Sequence, residues 1–592
     1  MKGFDVLKVK SAVKTHNKFD LSRTHLTTMD FGEIVPMFVE ETVPGDKFNI
    51  DAEYFSRMAP LAKPTYGKFS FKTCTAFVPY HQLAVDSDAW LAGKTAWEGS
   101  TPKFRHFTVN TLVDFAVEYC VDSATTTTAV TSADTYDITW TTTETQYYGK
   151  FSKRGKYWIK ILNALGYALP STMSTDADSY FYLHFGKTQL SAYPLLAFFK
   201  LYNDYMSQSQ RFNSSILSSI LRNVKYGLNQ TGYTPATGEI IATMLHAMFA
   251  NLYLNYENDY FTSAWQNPSN AINSIESITG VTVPGNVSTG VLQGYVSQSN
   301  EGDSHLVFSN NNLGQRALDF LKSFDDWVRR NNYSGSRAVQ QIYSRFGIKT
   351  DDYKSHYANV LATDSIPVQV GDITSTADAG SAILGDYAGK GIMNGSKQVS
   401  CQVSDYGVIL ILGYFTVAPM NAYGFDRRVL RNKPLDYYNP EFDGLGADAI
   451  SVGELWASPL AENEDGTQDT MNEAVFGFTE RYNSYRYGRD VITGEFRDYH
   501  KDGDMNVWHT GRNLQELWAD GSLVAQSTGM NTLPQTDSEY NRIFSDTSGE
   551  ENHFYMTARF KVDAIRPMLN LNQVPRLGEG DTTVPRNGNV IS

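Results

Sequence analysis

The side chains able to do chemistry are plentiful in this chain, but they form no recognisable catalytic constellation. The 11 histidines are scattered, and no HExxH spacing sets two of them on one helix face around a metal. No GxxxxGKS/T loop is present to cradle phosphates, no GxGxxG follows a strand, and no GxSxG elbow presents a nucleophile. His81, His184 and His509 read as packed or hydrogen-bonded strand residues rather than ligands. The three cysteines, Cys74, Cys120 and Cys401, are far apart and odd in number. They lack CxxC spacing for zinc and offer no disulfide framework, which fits assembly in a reducing cytoplasm. Glu462, Glu464 and Asp465 make an acidic loop that could hold calcium. Without EF-hand spacing it reads better as solvated. Four Asn-x-Ser triplets, headed by Asn213, Asn286, Asn332 and Asn394, carry little weight beside an N-terminus with no apolar leader core. No catalytic centre, metal or cofactor is expected.

Two stretches have the composition to meet an anionic polymer. An N-terminal arm, residues 1–25, carries Lys2, Lys8, Lys10, Lys14, His16, Lys18 and Arg23 against Asp5 and Asp20. A basic arm neutralises phosphates without reading sequence, so Lys8, Lys10, Lys14, His16 and Lys18 are the candidate nucleic-acid contacts. A solvated tail is the alternative reading. Residues 476–497 interleave Arg481, Arg486, Arg489 and Arg497 with Tyr482, Tyr485 and Tyr487, a mixture that can stack on single strands. Glu480, Asp490 and Glu495 offset that charge, which favours a strand with paired side chains.

The elements that must position these groups are mostly strands. Phe69, Phe71 and Phe77 fall on one face of a period-two run, and Phe554, Met556 and Phe560 on one face of another. Residues 408–412 are continuously aliphatic, as suits a strand buried on both faces. Pro44, Gly45 and Asp46 mark a turn. Helical spacing appears in residues 157–165, in 195–206, in 313–327 and in 336–346. The apolar run 240–254 holds His246 and Asn251 and is too short to span a bilayer, so it reads as a buried helix. Residues 123–145 are rich in Thr and 268–312 in Ser, Asn and Gly; both read as surface loops or exposed hairpins. Strands, a helical middle and strands again predict one β-sandwich interrupted by long insertions.

Bulk properties agree. Of the 592 residues, 41% are hydrophobic, enough for a substantial core, while only 19% are charged and 13% aromatic. Few charges with many Tyr and Phe suit either a surface covered by neighbours or simply a β-rich chain. A net charge of −14 argues against a whole surface that grips nucleic acid.

An ordered series of motifs then carries a resemblance. Residues 17–22 read NKFDLS, 32–48 GEIVPMFVEETVPGDKF, 198–205 FFKLYNDY and 259–265 DYFTSAW. Ser336-Arg337, Arg345-Phe346-Gly347-Ile348, Leu384-Gly385-Asp386 and Asp405-Tyr406-Gly407 follow. GFDR at 424–427, FGFTERYNSYRYGRDVITGEF at 476–496, Val507-Trp508-His509 and Arg566-Pro567-Met568 complete it. In this order the set resembles the major capsid protein family of the Microviridae, close to its gokushovirus-like branch, nearly end to end. The chain departs from the family at Trp265-Gln266-Asn267-Pro268, in apparent extra helical material at 213–256, and in the tail after Arg576.

The resemblance implies a mainly β fold, an eight-stranded antiparallel jelly-roll β-sandwich with long, partly helical insertion loops. It implies one capsid domain over 1–592, with core segments 26–200 and 340–592 and an insertion region 207–320. The function implied is a T=1 icosahedral shell around circular single-stranded DNA, built in the host bacterial cytoplasm, with pentamers as intermediates. Its implied partners are further copies of itself, the packaged DNA, a minor or pilot protein, and a host surface receptor, with no membrane. The acidic balance of the chain adds an expected small basic DNA-binding or internal virion protein. The segment 268–312 is expected to form an outward, host-contacting protrusion in which Ile272, Ile275, Val281, Val283 and Val291 pack together. A β-sandwich carbohydrate-binding or fibre protein, or a glycosidase, is the competing reading, because Tyr- and Trp-rich loops would also serve it.

Overall fold

The computed structural model describes residues 16–93, 101–126, 137–141, 146–170, 173–206, 216–252, 254, 259–261, 263–264, 357–371, 390–418, 420, 424–443, 447–455, 475–497, 505–511, 518–519, 522–523, 540–546 and 552–568. The fold is mainly β, with antiparallel sheets and a helical layer. Ten strands form two facing sheets: β1 (Asn17–Asp20), β2 (Arg23–Met29), β3 (Ile34–Thr42), β4 (Lys47–Met58), β5 (Phe69–Pro79), β6 (Asn359–Pro367), β7 (Gln369–Gly371), β8 (Lys390–Gln402), β9 (Gly407–Val417) and β10 (Phe554–Arg566). In the first sheet β1 and β2 both pair with β10, followed by β4, β8 and β7; in the second the order is β6, β5, β9, β3. The sheets hold six and four strands rather than eight in all, because the short β1 and β7 extend the edges of the first.

Alternation builds the interface between the sheets. Phe69, Phe71, Phe77, Ile409, Ile411, Phe554, Met556 and Phe560 all lie in one buried cluster, as their spacing predicts. That cluster draws on both ends of the chain, from Met29 to Ala564. Phe415 of β9 stacks on Phe554 of β10 with ring centroids 3.9 Å apart, and Tyr54 of β4 meets Phe71 of β5 at 5.4 Å. Rings from opposite sheets thus interdigitate, and each buried side chain of this size contributes roughly 1.5–3 kcal/mol.

The second sheet is buried on both faces. Val408, Leu410 and Leu412, the residues of β9 that point away from the first sheet, pack into a separate cluster with five helices: α1 (Val109–Tyr119), α2 (Lys153–Ala164), α3 (Tyr193–Leu201), α4 (Ile216–Tyr226) and α5 (Ala242–Ala250). This explains why β9 lacks polar alternation. Aromatic rings knit the helices together: Phe115 of α1 lies 5.7 Å from Trp158 of α2 and 5.4 Å from Phe249 of α5. α2 begins at Lys153, four residues before its helical spacing starts, because the Ser152 hydroxyl caps it by accepting from Gly155 N at 2.9 Å. After α3 the chain continues as one π turn, Tyr202–Met206.

Part of the Thr-rich stretch forms strands: Val121–Thr126, Asp137–Thr141 and Gln146–Phe151 pair antiparallel, the hairpin alternative of the two predicted forms. The Pro44–Asp46 turn carries the chain from β3 in the second sheet to β4 in the first. Gly45 takes φ +97°, where a side chain would be strained, and the Asp46 carboxylate accepts from Val43 N at 2.9 Å. The helices expected at 313–327 and 336–346 lie outside the described residues. Among the described residues no helix is long and apolar enough to cross a membrane.

Candidate functional site

Lys8, Lys10 and Lys14 lie outside the described residues, as do Ile272, Ile275, Val281, Val283 and Val291. His16 is exposed at the first described position. Lys18 sits in β1, where its Nζ is 2.9 Å from the Asp563 carboxylate. Three histidines expected in strands are not in strands: they lie in a short helix, a turn and a bend. His81 lies in a one-turn helix with Nδ1 2.9 Å from Asp405. His184 follows another short helix and stacks on Tyr180. His509 places Nε2 2.8 Å from the Phe496 carbonyl. Among the described residues no cluster of three metal-ligating side chains occurs.

What the structure does bring together are motifs widely spaced in the sequence. Ala447–Ser451 pairs antiparallel with Val475–Glu480 and leads directly into the one-turn helix Val452–Leu455. That helix holds Glu454, whose Oε1 accepts from Arg427 Nη1 at 2.8 Å and from Ser451 N at 3.1 Å. Its Oε2 accepts from the Tyr260 hydroxyl at 3.2 Å. Tyr260 in turn stacks on Tyr487 at 4.9 Å, and Arg489 donates to the Gly424 carbonyl at 2.6 Å. The DYF, GFDR and FGFTERYNSYRYGRD motifs therefore meet at one buried carboxylate. Burial pushes the Glu454 carboxyl up, and Arg427 partly offsets this. A Cβ on Gly424 would stand 2.1 Å from the Glu454 carbonyl oxygen, so only glycine lets these segments touch.

Residues 476–497 are only partly strand. Tyr482 turns the chain with φ 61°, and short 3₁₀ turns follow at Asn483–Tyr485 and Gly494–Phe496. The pairing of the arginines holds nevertheless: Arg486 meets Asp443 at 2.8 Å, and Arg481 reaches the Leu435 carbonyl.

A second buried joint was invisible in the spacing. Asp30, after β2, accepts from Lys153 Nζ at 3.0 Å and lies 3.1 Å from His553 Nδ1. Glu33 accepts from Lys160 Nζ at 2.6 Å and from Asp30 N at 2.8 Å. The β2–β3 turn, α2 and the start of β10 are thereby fastened to each other. The only sequence signal was a pair of acids beside glycine and phenylalanine, which any surface turn could carry.

Edge strand β3 is closed by side chains. Its Ile34 N–H and carbonyl both bond the Tyr157 hydroxyl, at 2.9 and 3.2 Å. His25 Nδ1 lies 3.0 Å from the Met37 carbonyl, Arg23 donates to the Val39 carbonyl, and Arg566 donates to the Glu41 carbonyl at 2.8 Å. A cleft of about 1520 Å³ runs along this edge. Its basic Arg23 and Arg566 are both held by Glu40. Such an edge does not recruit another strand.

The family described as "Capsid protein (F protein)" matches residues 7–154 and 316–576, well over half of the chain. The unmatched interval between them contains α3, α4 and α5. "Capsid protein VP1" of Chlamydia phage 1 is 23% identical over 564 residues, covering 86% of this chain and 89% of that relative. "Capsid protein VP1" of Bdellovibrio phage phiMH2K is 24% identical over 181 residues, 30% of this chain and 32% of its own. Motif order, fold and matched length agree: this chain belongs to the F-type capsid protein family of the Microviridae bacteriophages.

Proposed function

We propose that the chain is a major capsid protein that self-assembles into a T=1 icosahedral shell around circular single-stranded DNA. The observation that carries this reading is the near-full-length match to a relative named as a capsid protein. Strand order supports a jelly-roll core. Setting aside β1 and β7, the first sheet runs β2, β10, β4, β8 and the second β3, β9, β5, β6. That is the first, eighth, third and sixth strands facing the second, seventh, fourth and fifth, the order in which a long hairpin rolls into two sheets. The insertions leave this core free to be varied as contacts.

On this reading Lys8, Lys10, Lys14, His16 and Lys18 face the enclosed genome, and segment 268–312 projects outward to a host receptor. A chain of net charge −14 leaves most phosphate charge uncompensated, which assigns a separate small basic protein to the DNA. A minor or pilot protein completes the virion, assembled in the bacterial cytoplasm. The role is structural, with no catalytic step.

Electron microscopy of the purified recombinant chain tests the proposal. Uniform small shells, or pentamers that convert to them, are the expected products. A monomer or trimer retained by carbohydrate resins would replace this reading with a sugar-binding one.

A further inference from the structure

We infer that the aromatic surface around Tyr438 and Tyr485, on the insertion between β9 and β10, is a contact onto which a second copy of this chain docks. The inference rests on the capsid reading and names where that assembly occurs. Tyr437 is 55% exposed, Leu435 50%, Tyr438 47% and Tyr485 47%. Apolar groups of this size, this close together, mark an interaction site rather than ordinary surface. They are also held rigid. The Arg431 guanidinium lies 3.9 Å over the Tyr485 ring and donates to Ser484 at 3.1 Å. The Tyr485 hydroxyl accepts from Tyr438 N at 3.2 Å, and the Tyr438 ring packs 5.2 Å from buried Tyr482. Little conformational freedom is left to lose on docking, and rigid, preorganised aromatics make the strongest anchors.

Charge selects the occupant. Residues 424–443 and 476–497, which together build this surface, carry eight bases and seven acids. Arg486 is on Asp443 and Arg428 on Asp426, both at 2.8 Å, and Arg481 lies over Phe442. A polyphosphate needs a clear excess of cations, and over these two segments bases and acids nearly cancel. Two copies of net charge −14 repel over most of their surfaces, so contact is least costly where charge cancels locally and aromatics dominate, the composition of interface cores.

The test combines a double variant with a footprint on the unaltered chain. Leu435→Ser with Tyr437→Ser removes exposed apolar area only, so circular dichroism and melting temperature should match wild type. The concentration needed for particles in sedimentation velocity and negative-stain images should rise about tenfold or more, as expected for truncated anchor residues. Independently, hydroxyl-radical oxidation of Tyr437 and Tyr438 in wild type should fall on going from free subunits to particles. If the variant misfolds, the footprint alone decides. Equal oxidation in subunits and particles would overturn the inference. So would a folded variant that assembles like wild type, or protection that appears in free subunits only when single-stranded DNA is added. A wild-type chain that forms no particles at all would instead sink the capsid reading itself.

Discussion

His553 and Asp30 are 523 residues apart in sequence, yet the imidazole Nδ1 lies 3.1 Å from the carboxylate, with both side chains buried. The other ring nitrogen, Nε2, is 3.0 Å from the Asp546 carbonyl. Two acceptors on one ring call for two N–H groups, so the site favours imidazolium. Burial opposes the charge, but the Asp30 and Asp546 oxygens outweigh it, and the His553 pKa is raised above its ordinary value.

The sign of the pH dependence follows. With the folded value raised, the stabilisation is complete below the unfolded imidazole pKa, about 6.5, and is lost as pH climbs through the raised value. Glu33, also shifted up by burial, acts with the same sign above the carboxylate range. The melting temperature should therefore fall as pH rises above about 6.5, and His553→Gln should flatten that slope. Asp30→Asn, which removes the buried carboxylate that His553 and Lys153 share, should cost about 3–5 kcal/mol in urea denaturation.

Phe560 is 1% exposed and contacts Phe38 and Tyr54 at ring distances of 5.1 and 6.0 Å. Phe560→Ala should lower unfolding free energy by about 3–5 kcal/mol. Chemical denaturation checks this, and a loss below about 1 kcal/mol would mean that the ring is not between two sheets.

Gly155 sits inside α2, where helix propensity alone says alanine should gain about 1 kcal/mol. A Cβ there would stand 2.1 Å from the Cys120 carbonyl oxygen. Overpacking of this kind costs about 1–3 kcal/mol, so Gly155→Ala should lower the denaturation midpoint instead of raising it.

Glu454→Gln should leave Arg427 without its counter-charge and weaken the hydrogen bond from Tyr260, with a loss of about 3 kcal/mol. Amide exchange at residues 259–261 should quicken. Replacing the pair together, Glu454→Leu with Arg427→Met, should recover much of that loss, because the desolvated charges disappear together.

The parts of this fold legible in the sequence are those carried by short-range spacing. Alternation put Phe69, Phe71, Phe554 and Phe560 on inner faces, and the unbroken aliphatic run of β9 announced burial on both sides. Long-range pairing left no such mark. Nothing near Thr28 indicates that Asn552 donates to it across 524 residues, and Asp30, Lys153 and His553 look like three unrelated surface charges until the strands are assembled. The histidines misread as strand residues failed for a related reason: His81 and His509 are fixed by Asp405 and the Phe496 carbonyl, partners that no local window contains. The motif string at 476–496 is one of the ordered set that carries the family resemblance, but its meeting with Tyr260 and Gly424 is a property of the fold.

β10 lies between β2 and β4, in the interior of the first sheet. A ribosome working at about 5–20 residues per second takes roughly half a minute to two minutes to make a chain of this length. Throughout that time the slot between β2 and β4 stands open, because its occupant is not yet made. The first sheet can close only after β10 has been made. A chain released before β10 therefore lacks an interior strand of the first sheet, and β2 and β4 are left without the partner that joins them.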